Sequence, residues 1–223
     1  MDLPLHAIEA RINGARKDLP TVFGRLSMLA GHFRRAMDRG TDKTEQNPKQ
    51  NMEGGEGREW FGRIRVTEFH TRLYAIYHWT DSATGVHAIQ FCEQGAALVF
   101  GPHFWKQYGD RHKNGREHLF LMREYFQHNA HITFVDQERL IKGKPGVVGI
   151  TEHGLALGHI ETPDITVCNT YVDKTDLRDD KKELHFRSLV HHRMRDMSPE
   201  VLLNMKRSFQ EGLVAIEQVL KAA

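Results

Sequence analysis

Residues 101–129, GPHFWKQYGDRHKNGREHLFLMREYFQHN, read as two short helices set between two regions of β patterning, and that placement decides the fold class. Pro102 suits the first position of a helix, where its missing N–H costs nothing. The first helix is predicted over His103 to His112, weakened by Gly109. Asn114 reads as the N-cap of the second helix, with Glu117 three residues on completing a capping box. Leu119, Phe120, Met122 and Phe126 give that helix an apolar face, and Asn129 can close it.

Upstream, Leu73, Ala75, Tyr77 and Trp79 alternate with opposite-face residues, and turn chemistry at 81–85 leads into Val86–Phe91. A second turn at 93–95 feeds the apolar run Ala96–Phe100. Short connections make this a meander of about four antiparallel strands. Downstream, residues 132–135 and 147–151 read as strands, as do 155–160 and 165–172. Glu152-His153-Gly154 is a hairpin turn, and 165–172, ITVCNTYV, is strongly β-branched.

The flanks are helical. Residues 3–39 hold apolar positions at helical spacing, broken near Pro20. Residues 40–59, GTDKTEQNPKQNMEGGEGRE, have almost no apolar content and read as a flexible linker. Residues 181–195 read as helix. Ser198-Pro199 opens a last amphipathic helix whose stripe includes Val201, Leu202, Met205, Phe209 and Leu213. The expected organisation is a helical segment 1–39, a linker 40–59, a core domain 60–196 and a terminal helix 197–223. The fold class is α+β: a largely antiparallel sheet flanked by helices, with helical extensions at both ends. The grouping of elements predicts those helices on one side of the sheet.

No run of about eighteen apolar residues is present, so no membrane span is expected. The first residues lack the basic and apolar regions of a signal peptide, and the two cysteines, Cys92 and Cys168, lie far apart. Both features fit the cytoplasm. The formal net charge of +2 is too small to indicate nucleic-acid binding by itself. The fifteen histidines make the chain markedly more basic near pH 6 to 6.5.

The densest group of acid–base and cationic residues falls in the two-helix stretch. His103 sits in a first helical turn, where the helix dipole disfavours a charged ring. A neutral imidazole can accept a proton. Arg111 follows eight residues later, roughly 12 Å along the axis, and Tyr108 lies between them. His103 as base, Arg111 as clamp on a phosphorane-like transition state and Tyr108 as donor or stacking ring form a metal-independent RNA-cleaving set. Lys113, Arg116, His118 and Thr170 are expected to bind substrate, and Tyr171 is the alternative to Thr170. The second acid is open between His112 and His118.

The pattern His103-Phe104-x-x-x-Tyr108-x-x-Arg111, followed by a helix and the hairpin 152–158, resembles small uncharacterised bacterial proteins grouped with ribonuclease toxins of the barnase- and RelE-like fold. The resemblance covers roughly residues 100–172 and implies activity on RNA. Tyr108 stands where such proteins often show an Arg, and the terminal helices have no counterpart in the minimal toxins.

Other chemistries are weaker. His128 and His131 have HxxH spacing, and His185 and His192 stand seven apart, but HExxH is absent. No metal or cofactor is expected. Cys92 and Cys168 read as small core residues. Asp173, Asp176, Asp179 and Asp180 lack the EF-hand spacing and read as a solvated turn. The alternative to an enzyme is a non-catalytic module that binds nucleic acid through the basic residues of 106–123, or a protein partner through the terminal amphipathic helices.

Overall fold

The computed structural model describes residues 3–39, 49–66, 70–91, 95–112, 116–141 and 143–195. Helices α1 (Leu5–Arg16) and α2 (Leu19–Asp38) open the chain. A five-strand meander follows: β1 (Lys49–Glu53), β2 (Glu59–Val66), β3 (Thr71–Asp81), β4 (Gly85–Phe91) and β5 (Ala97–Phe100). Helices α3 (Pro102–His112) and α4 (His118–Asn129) come next. The second meander is β6 (Thr133–Ile141), β7 (Lys144–Ile150), β8 (Gly154–Thr162) and β9 (Ile165–Asp173), and α5 (Asp179–Arg195) ends the described chain.

The nine strands form one sheet, ordered β1-β2-β3-β4-β5-β9-β8-β7-β6. Every pairing is antiparallel except β5 with β9, where the two meanders meet in parallel. A hairpin cannot join parallel neighbours. The chain crosses from β5 through α3 and α4 and returns by way of the second meander.

Helices cover both faces of this sheet, not the one side that element order suggested. On the first face, Phe104, Trp105 and Tyr108 of α3 and Leu121, Met122, Tyr125 and Phe126 of α4 pack on Phe61, Ile76, Phe100 and Tyr171. Most of the rings meet edge to face, as in Phe100–Phe126 (5.2 Å, 89°) and Tyr108–Tyr171 (5.1 Å, 75°), an arrangement their quadrupoles favour. Gly109 does more here than weaken a helix. A Cβ at that position would lie 2.6 Å from Leu121 Cδ1, so its absence lets α3 and α4 meet.

On the second face, Ile8, Ile12 and Ala15 of α1 and Val22, Leu26 and Ala30 of α2 pack on Trp60, Ile64, Tyr77, Ile89 and Val99. These helices are a layer of the core and not a separate segment. Farther along the sheet, Leu177 and Leu184 pack on Val148, Ile150 and Leu155.

The linker expectation is corrected for residues 49–59. They hold edge strand β1 and a 3-10 turn, Gly55–Gly57. Asp18, between α1 and α2, fastens this turn. Its carboxylate accepts from Arg58 Nε (2.7 Å) and Nη2 (3.0 Å), from Trp60 Nε1 (3.2 Å) and from Gly55 N (3.1 Å). The polar composition that suggested a linker belongs to an exposed edge and a charged turn. The 40–48 portion and the expected terminal helix over 197–223 lie outside the described residues. The capping box is also corrected. Helix α4 starts at His118, so Glu117 occupies the cap position itself, with no side-chain bond. Among the described residues, no helix is long and apolar enough to cross a membrane.

A candidate active-site cleft at the carboxyl ends of β5 and β9

Strand β5 ends at Phe100, opposite Cys168, while β9 runs on to Asp173. Beside Asn169 and Thr170 the sheet therefore has no β5 neighbour. The chain leaves β5 through Gly101 and turns into α3 there. The adjoining carboxyl ends of parallel strands are where crevices form in open sheets, because the connection lifts away from the sheet. A cleft of about 740 Å³ opens at this point. Its apolar wall includes Leu3, Leu5 and Ile8 at the start of the chain, with Val99, Ile141 and Val167. Its polar lining is His87, His103, Lys144, His159, Glu161, Asn169 and Thr170.

Strand alternation brings the polar group together. His159 and Glu161 are two apart on β8 and share a face. Lys144 opens the neighbouring β7. Asn169 is a bulge residue: Thr170 pairs with Leu157 and Cys168 with Gly158, which leaves Asn169 without a partner in β8. Such an extra residue re-aims side chains, and here Cys168, Asn169 and Thr170 all reach the cleft.

The polar residues form one chain of bonds. Lys144 Nζ donates to Glu161 Oε1. His159 Nε2 bonds Glu161 Oε2 at 3.0 Å, and Asn169 Nδ2 bonds His159 Nδ1 at 2.9 Å. The Lys144 bond, then that from His159, holds the Glu161 carboxyl below its usual value of 4.5 against the opposing effect of burial. His159 is buried, Lys144 is partly open, and His103 is exposed at the first turn of α3. His87 stacks on Trp79 (5.0 Å, 9°) with its Nε2 2.7 Å from Thr84 Oγ1.

The predicted residues separate. His103 and Thr170 line the cleft. Tyr108 does not: it is 1% exposed in the aromatic core, and burial, first among the causes, raises its phenol well above the usual value. Arg111 does not either: its guanidinium pairs with Asp176 at the far end of α3. A three-residue site of His103, Tyr108 and Arg111 is thus not assembled. Helical spacing places Tyr108 on the face that meets the sheet, and Asp176 of the 3-10 turn Lys174–Asp176, which follows β9, captures Arg111.

Arg116 lies over the Phe120 ring (4.3 Å) with Glu124 3.7 Å away. His118 begins α4 outside the cleft lining, and Lys113 is outside the described residues. Tyr171, the alternative to Thr170, points into the aromatic core, and its Oη donates to His153 O at 2.9 Å. His112 belongs to α3, and its side chain lies outside the description.

Of the histidines considered for metal binding, His128, His131 and His185 have other surroundings, and the side chain of His192 lies outside the described residues. His131 Nδ1 is 3.0 Å from Tyr74 Oη, the His128 ring lies tilted against that of His153 (5.1 Å, 34°), and His185 Nε2 bonds Thr151 O at 2.8 Å. Among the described residues, no group of three or more His, Cys, Asp or Glu could hold a metal ion. Burial pushes the Cys168 thiol up to about 12, which removes it as a nucleophile. Cys92 is outside the described residues. Asp173 caps its turn by accepting from Thr175 N and Oγ1, and Asp176 holds Arg111.

Sequence reasoning missed Lys144, His159, Glu161 and Asn169. The His-x-Glu spacing of 159–161 was a legible signal in an alternating strand, and so was a lone Asn within β-branched 165–172. Nothing local marks Lys144. Compared with known proteins, the chain matches no family model, no curated protein and no solved structure.

Proposed function

We propose that this cleft is a metal-independent acid–base site acting on a phosphodiester, with RNA as the substrate class. The observation that carries the reading is that an exposed imidazole, His103, and an ammonium, Lys144, line one cleft. Its volume of about 740 Å³ is within the range of small-ligand sites and suits a nucleotide.

In this reading His103 takes the proton from a ribose 2′-hydroxyl. The 2′-oxygen attacks phosphorus, the bond to the 5′-oxygen breaks and a cyclic phosphate forms. Lys144 replaces Arg111 as the cation. An ammonium has three donors and gives one to Glu161, so two remain to hold phosphorane charge and protonate the leaving oxygen. His159 is a positioning residue, because both its ring nitrogens are bonded. Thr170 donates to the substrate from the floor.

The test is cleavage of a panel of RNAs in EDTA. His103→Ala is expected to lose about 100-fold or more, the usual contribution of a general base. Equal cleavage by both proteins, or none by the wild type on any RNA, sinks the proposal.

A second reading is a binding cleft without turnover. The observation favouring it is that both ring nitrogens of His159 are bonded, which keeps that imidazole from serving as the acid opposite His103. Salt-dependent RNA retention on filters, with no cleavage, selects this reading.

A further inference from the structure

The bond chain under the cleft has a fixed direction, and the donor and acceptor inventory sets it. An ammonium only donates, and a carboxylate only accepts. Lys144 therefore donates to one oxygen of Glu161, and the other oxygen requires a proton on His159 Nε2. A neutral imidazole protonated at Nε2 has a bare Nδ1. That nitrogen accepts from the Asn169 amide NH2, 2.9 Å away. The amide cannot turn over without placing its oxygen against a lone pair. Its carbonyl oxygen is left over, and no protein donor takes it among the described residues. Asn169 itself is half-buried, outside the β8 ladder and part of the cleft lining.

We propose that Asn169 is a specificity-determining residue, held by the Lys144–Glu161–His159 chain so that it presents a hydrogen-bond acceptor to the ligand. On a nucleotide the matching group is an exocyclic amine, N4 of cytosine or N6 of adenine, in preference to the carbonyl of uracil or hypoxanthine. This inference rests on the cleft being a nucleotide site.

The direction of the chain can be reversed by one substitution. In Glu161→Gln, Lys144 still demands an acceptor and takes the new side-chain oxygen. The new NH2 then faces His159 Nε2, which must become the acceptor. The proton moves to Nδ1, Asn169 turns its oxygen to that proton, and its NH2 faces the cleft. Lys144→Met leaves Glu161 as an acceptor and the chain direction unchanged.

Two measurements test this. Long-range nitrogen–proton NMR, with His159 assigned from the spectrum of His159→Gln, is expected to show Nε2–H in the wild type and Nδ1–H in Glu161→Gln. Calorimetry with 3′-CMP against 3′-UMP, and AMP against IMP, is expected to show the amine-bearing member bound about tenfold tighter, the scale of one net hydrogen bond. Glu161→Gln is expected to reverse both preferences. Lys144→Met is expected to bind all four more weakly but keep the order.

A wild-type Nδ1–H tautomer or an imidazolium overturns the inference. So does equal binding within each pair, although the cleft then stands as a nucleotide site. If none of the four binds, the nucleotide reading and the specificity argument fall together.

Discussion

The two faces of the sheet are filled differently. Under α3 and α4, rings from both helices and the strands interlock, and Phe104, Trp105, Tyr108, Tyr125 and Phe126 are essentially inaccessible. On the other face, α1 and α2 cover the first meander with smaller side chains, and Leu177 and Leu184 cover the far end of the second. Between those two patches a polar floor of His159, Glu161, Asn169 and Thr170 lies open to the cleft. One face holds the sheet together, and the other stops short of closing over it. The difference teaches where a cleft forms: where a helical layer ends, so that of the dense stretch 101–129 only residues at the start of α3 reach it.

The sharpest way to break the comparison is to hollow the aromatic face. Phe104→Ala removes a ring with 0% exposure and is expected to cost about 4 kcal/mol, read as a lower urea midpoint. A cost under about 1 kcal/mol would mean that this face is not the rigid one. Next is Asp18→Ala, at about 2 kcal/mol, because it takes the shared acceptor from Arg58 Nε and the Trp60 indole while Arg58 keeps its pair with Glu56. An unchanged unfolding midpoint would show that the edge turn does not depend on Asp18.

Acid pH probes two carboxylates. Glu161, held down chiefly by Lys144, and Asp18, held down chiefly by Arg58, both have lowered values in the folded protein. Depressed folded values add stability that is fully present above the ordinary values of 4.5 and 3.8 and is lost as pH falls through the lowered ones. Urea midpoints are expected to fall below about pH 4.5, and Glu161→Gln is expected to flatten part of that slope. An identical slope in the variant would remove Glu161 from the account. The smallest effect belongs to Arg111→Ala. Its pair with Asp176 is partly exposed, so the loss is expected to stay within about 1 kcal/mol. Nucleotide binding in the cleft should not change, and a large loss of binding would return Arg111 to the site.

Much of the architecture was legible in the chain. The helix pair after Phe100, the hairpin at Gly154 and strand 165–172 follow from turn chemistry and local periodicity. His103 and Thr170 could be singled out because each sits at a recognisable transition or in a recognisable strand. Tyr108 and Arg111 misled for one reason. Helical spacing gives the angle between side chains, but not which face turns to the sheet or which loop meets the helix end. Asn169 was hidden because a bulge exists only relative to the partner strand.

By itself, the sequence determined most of the segments that are helix or strand, edge strand β1 excepted, and that the sheet is mostly antiparallel, because those depend on neighbours a few residues away. Tertiary structure decided that β5 and β9 lie side by side with β9 the longer, that helices occupy both faces, and that Lys144, Glu161, His159 and Asn169 join in one chain. Those features depend on which distant strands pair and where each one stops. No periodicity within a single strand contains that information.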